Sequence, residues 1–149
     1  MAQLSTRGKL LLDAFCAAFA AFAVGLCLGH TWIQPSGLLY LAGIPLSCAL
    51  LVFALIRTRR SSRRLAEYAS DASAGKAAMQ FLWSCVFFAM LSAMFGLAVS
   101  GLVWSSPDFL RSFGFYFWGA MTSVALYPVR RDAKRLSSAG GLAGGVFKR

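Results

Sequence analysis

The chain reads as an all-α integral membrane protein of four transmembrane helices, folded as two hairpins with both termini on one side. Three observations carry this reading. Its 149 residues are 58% hydrophobic and only 13% charged, well above the ~45–50% apolar usage of soluble domains. Uncharged apolar runs of roughly the 17–25 residues that a helix needs to cross the hydrocarbon layer recur four times along the sequence. The net charge of +10, from 15 Lys+Arg against 5 Asp+Glu, is concentrated in the N-terminus, the central connection and the C-terminal segment, with Arg111 the sole cation elsewhere. Flanking cations resist translocation, so the termini and central connection belong on the cytoplasmic side, or the matrix or stromal side of an organelle.

The first span covers residues 10–29, behind Arg7 and Lys9. A cleaved signal peptide is the competing reading of this segment, but the apolar run is long, and Asp13 stands near its start. Asp13 is the one ionisable residue inside a span. At ~1.5 Å rise per residue it lies only about 5 Å into the run, one turn beyond Lys9, which favours a paired interfacial carboxylate over a proton-coupling group. It also begins a ridge at i, i+4 spacing with Ala17, Ala21, Gly25 and Gly29. Small side chains let helix backbones approach closely, and in lipid such packing replaces the hydrophobic drive between helices. The ridge is therefore expected to contact another helix of this chain or of a partner, with Asp13 bonding a donor there. Phe15, Phe19 and Phe22 are expected to face lipid or a neighbouring subunit.

Gln34-Pro35-Ser36-Gly37 punctuates the first hairpin. The second span, 38–56, contains Pro45, which cannot donate to the Leu41 carbonyl and should bend the helix. Residues 57–76 read as a basic inner loop whose first part continues the second helix. Arg57, Arg59, Arg60, Arg63 and Arg64 are expected to contact anionic lipid or a partner subunit, and their context makes Ser61 and Ser62 a weak phosphorylation pattern.

The third span, 77–104, repeats the small-residue theme in Ala89, Ser92, Ala93, Gly96 and Ser100. After Ser105-Ser106-Pro107-Asp108, with Ser106 as N-cap and Pro107 at the first helical position, the fourth span runs over 107–129 and offers Gly119 and Ser123 for packing. Arg111 is placed to pair with Asp108. The segment 130–149 reads as a basic Gly-rich tail: Arg130, Arg131, Lys134 and Arg135 add to the lipid or partner contacts, and Gly140, Gly141, Gly144 and Gly145 disfavour a helix. Trp32, Tyr40, Trp104, Tyr116 and Trp118 fall near one set of span ends, and Tyr68, Trp83 and Tyr127 near the other, as interfacial aromatic belts require.

Little here suggests catalysis. His30 is the sole histidine, so bis-histidine haem ligation within one chain is excluded. Cys16, Cys27, Cys48 and Cys85 all lie in spans without metal-ligand spacing and read as small apolar residues. No cofactor is expected, nor is nucleic acid, since no aromatic-interleaved basic groove is present. The expected function is a non-catalytic accessory or assembly subunit of a larger membrane complex, of energy-transducing or secretion type, with other membrane subunits and anionic lipids as partners. The alternative is a small homo-oligomeric transporter or channel. Either fits a bacterial inner membrane or an organellar inner membrane such as the mitochondrial one.

Overall fold

The computed structural model describes residues 5–34, 38–69, 72–104 and 109–146. They form four helices, α1 (Thr6–Ile33), α2 (Leu38–Ala69), α3 (Ala72–Trp104) and α4 (Phe109–Val146), in that order. The start of α1 has a local cause: the Ser5 hydroxyl accepts from the Gly8 N–H at 3.2 Å and the Ser5 carbonyl from the Lys9 N–H, satisfying donors that the first turn leaves open. At its other end the Gln34 N–H closes the last turn on the His30 carbonyl at 2.8 Å.

α1, α2 and α3 each contain a segment long and apolar enough to cross a membrane, over Thr6–Ile33, Leu41–Glu67 and Ser73–Val103. Among the described residues α4 does not, in contrast to the four runs expected. Its apolar stretch is diluted by Tyr116, Trp118, Thr122, Ser123, Tyr127 and Pro128, each of which adds a polar atom or removes aliphatic surface. The turn residues Pro35, Ser36 and Gly37, the cap at Ser106 and Pro107, and the Asp108 end of the proposed pair with Arg111 lie outside the described residues.

Two expectations are corrected. The inner loop over 57–76 is almost entirely helical: α2 runs on to Ala69 and α3 begins at Ala72. The Gly-rich tail is helical as well, α4 continuing to Val146. Each glycine costs an established helix only about 1 kcal/mol relative to Ala, whereas a new helix would first have to be nucleated. Here the helix is already fixed by Val129, Ala133 and Leu136, all fully buried one turn apart.

The core is a three-helix contact. Leu10, Ala14 and Ala18 of α1 meet Phe81, Cys85, Phe88 and Leu91 of α3 and the Ala125, Val129, Ala133 and Leu136 row of α4. The spacing on every helix is three or four residues, the signature of one apolar face turned to a common axis. α1 packs most extensively on α3, then α3 on α4 and α1 on α2. α2 is peripheral: Leu41, Leu46, Leu50, Val52 and Phe53 are exposed, and Leu65 and Ala66 reach the core only partly.

Candidate functional site

The chemistry of the molecule gathers where the bundle carries its cations. Asp13 of α1 is 3% exposed and Asp132 of α4 is 2% exposed, so both carboxylates have lost their water and require partners. Each finds a serine and an arginine. Ser61 of α2 donates to Asp13 Oδ2 at 2.9 Å, and Arg57 Nε stands 2.8 Å from Asp13 Oδ1. Ser84 of α3 donates to Asp132 Oδ2 at 2.6 Å, and Arg131 Nε donates to Asp132 Oδ1 at 3.1 Å. Arg57 and Arg131 remain about half exposed, so their charges keep water; Arg131 hydrogen-bonds its carboxylate, whereas Arg57 meets Asp13 Oδ1 by charge without an aligned hydrogen bond.

Each clamp closes one hairpin, α1 to α2 and α3 to α4, and each joins residues separated by 48 positions. Asp precedes Ser in the first hairpin and follows it in the second. The two clamps therefore do not arise from a direct sequence repeat. Cys85 sits fully buried in the α3 face of the core. Thr58 and Ser62 are buried beside the first clamp, donating to the Ala54 and Arg59 carbonyls. Ser61 and Ser62 thus spend their hydroxyls inside the bundle, which argues against the phosphorylation pattern read from their flanks.

The small residues are used within the chain. A Cβ on Gly25 would overlap the Ala93 carbonyl oxygen, one on Gly96 the Phe22 carbonyl oxygen, and one on Gly29 the Ser100 hydroxyl. Ala17, Ala21, Ala89, Ser92 and Ser100 are buried along the same region. Gly119 faces Phe95, whose ring would lie 3.2 Å from an added Cβ, and Gly43 accommodates Cys27 in the same way at 3.0 Å. Ser123 lies on the exposed side of α4, its hydroxyl returning to the Gly119 carbonyl, and does not join this seam.

The aromatic face of α1 is divided. Phe19 is exposed, but Phe15 sets its ring edge-on to Phe88 at 5.9 Å and Phe22 packs on Phe95, which in turn meets Phe115. Trp32, Trp83, Tyr116 and Tyr127 are exposed, as interfacial side chains would be, whereas Trp118 is partly buried against the core. His30 is buried. Arg59, Arg60, Arg63, Arg64, Arg130, Lys134 and Arg135 are exposed.

Asp132 is the functional candidate that sequence reasoning missed. It stands inside Arg130-Arg131-Asp132-Ala133-Lys134-Arg135, which resembles a solvated basic tail. The available signal was the row Ala125, Val129, Ala133 and Leu136, whose helical spacing carries an apolar face straight through the charged segment. Among the described residues no group of His, Cys, Asp and Glu is arranged to hold a metal ion. No protein-family model, curated protein or solved structure matches this chain.

Proposed function

We propose that the chain is a non-catalytic membrane subunit that acts by packing: a four-span bundle, α4 included, with both termini and the α2–α3 connection on the cytoplasmic, matrix or stromal side. It would sit in a bacterial inner membrane or an organellar inner membrane, within a larger multi-subunit assembly. The observation that carries this reading is how the bundle spends its hydroxyls. Ser47 donates to the Gly43 and Ile44 carbonyls, Ser92 to Phe88, Ser100 to Leu97, Thr122 to Trp118 and Leu91, and Ser123 to Gly119. A transport path needs polar groups that face a shared cavity. Here they are turned back onto helix carbonyls, leaving exposed apolar faces such as that of α2 as the surfaces for lipid or a partner helix.

The test is native mass spectrometry of the tagged, full-length chain extracted in mild detergent. Stoichiometric co-purification with other membrane subunits is the expected result; recovery of the chain alone would overturn the assembly reading. A small transporter is the second reading, favoured by the two buried carboxylates, Asp13 and Asp132. It requires flux in proteoliposomes that is lost in Asp13→Asn or Asp132→Asn.

A further inference from the structure

The arginine ladder of α2 divides between two faces. Arg57, Arg60 and Arg64 lie on one side with Ser61, where Arg57 is committed to Asp13. Arg59 and Arg63 instead line a cleft of about 440 Å³ between α2 and α3, together with Glu67, Ala78, Met79 and Leu82. Among the described residues neither Arg59 nor Arg63 is paired with a carboxylate. They are cations in a concave site whose one described carboxylate, Glu67, makes no ion pair with either.

The order of groups along the cleft is informative. α2 leaves its apolar segment through Arg59, then Arg63 one turn on, then Glu67 a further turn out, while the following helix α3 runs back from Gly75 through Ala78 and Met79 to Leu82. From the bundle outward, α2 therefore presents two guanidiniums and then one carboxylate, while the antiparallel α3 sets Leu82 level with Arg59 and Met79 level with Arg63 as an apolar opposite wall. Successive turns are ~5.4 Å apart, the scale that separates neighbouring charges within a phospholipid headgroup. Gly75 adds no side chain to the lining, and a Cβ there would meet none of the described residues.

We propose that this cleft seats an amine-bearing phospholipid. Its phosphate lies between Arg59 and Arg63, its ammonium meets Glu67, and its acyl chains leave the cleft past Leu82, the innermost apolar residue of the lining. Guanidinium groups suit phosphate oxygens because their N–H donors match them in bidentate geometry. The glycerol end of an anionic headgroup would offer Glu67 only neutral hydroxyl donors where an ammonium offers charge-assisted ones, so the carboxylate supplies discrimination that a basic patch alone lacks. This inference rests on the chain being membrane-embedded, and it adds a specific lipid to that reading.

The experiment is competition between phosphatidylethanolamine and phosphatidylglycerol, supplied in equal amounts to the delipidated full-length protein and read as bound-lipid adducts by native mass spectrometry. The wild-type chain is expected to retain phosphatidylethanolamine in preference. Arg59→Gln with Arg63→Gln should reduce that retention about tenfold, as loss of charge-assisted bonds to phosphate implies. Glu67→Gln should keep phosphate binding but abolish the preference, and Arg60→Gln with Arg64→Gln should behave as wild type. All variants change exposed side chains, and circular dichroism checks that their helicity is unchanged. Equal or greater retention of phosphatidylglycerol by the wild type, or unchanged retention after Arg59→Gln with Arg63→Gln, would overturn the assignment. Release of the chain from membranes by alkaline carbonate would instead overturn the membrane reading on which it rests.

Discussion

The two halves of this bundle are held together by different physics. Toward the termini, the helices are joined by buried carboxylates, each bridged to a serine on the paired helix and flanked by an arginine. Away from them, α1 and α3 are joined by absent side chains: Gly25 and Gly96 let each backbone rest on the other. The polar clamps need a nearby source of water for their half-exposed arginines, so they suit the basic end. The glycine seam needs none, because it gains dispersion and close contact while its buried hydroxyls, Ser92 and Ser100, return to carbonyls of their own helix. The difference teaches that one short chain can assign hydrogen bonding to its interfacial layer and steric fit to its apolar layer.

This division can be broken most severely at the seam. Gly25→Leu would place a branched side chain where the Ala93 carbonyl stands, and backbone cannot yield as a flexible side chain can. We expect a loss of about 3 kcal/mol, at the upper end for overpacked cores. Steric trapping or thermal unfolding in detergent would measure it, and wild-type stability would refute a tight α1–α3 contact.

At the clamps the expected effect is smaller, because the arginines can turn to solvent. Asp132→Ala strands the Ser84 hydroxyl and should cost about 1.5–3 kcal/mol, the range for hydrogen bonds to charged groups. Asp132→Asn keeps an acceptor for Ser84 and should cost less. The same unfolding assay ranks the two variants; equal losses would show that charge alone matters there. A double-mutant cycle on Asp13→Asn and Ser61→Ala should give a coupling of about 0.5–1.5 kcal/mol, whereas additive effects would mean that the 2.9 Å contact contributes nothing.

The mildest change is Ser123→Ala. Its hydroxyl only returns to the Gly119 carbonyl on an exposed face, so stability should remain within about 0.5 kcal/mol of wild type. A larger loss, appearing only in the intact assembly, would place this face of α4 against a partner.

Much of the seam was legible in the sequence, since Ala17, Ala21, Gly25 and Gly29 recur at the spacing of one helix face. What they would meet was not, because periodicity identifies a face without identifying its neighbour. Asp13 stood out as a carboxylate in an apolar run, yet the nearest cation in sequence, Lys9, is not its partner. That is Arg57, which lies on α2, the other arm of the first hairpin. Asp132 did not stand out at all, because its flanking arginines gave it the composition of a solvated tail.

The sequence by itself determined the helical class, the apolar segments and the segregation of charge, because these follow from local composition and from the cost of placing cations in hydrocarbon. Tertiary structure alone decided that the presumed loop and tail are helix, that α2 stands at the periphery, and that two carboxylates far apart in the chain are each bonded to a serine on the paired helix. The physical reason is that a buried charge is specified by the partners surrounding it in space, and those partners arrive from other helices.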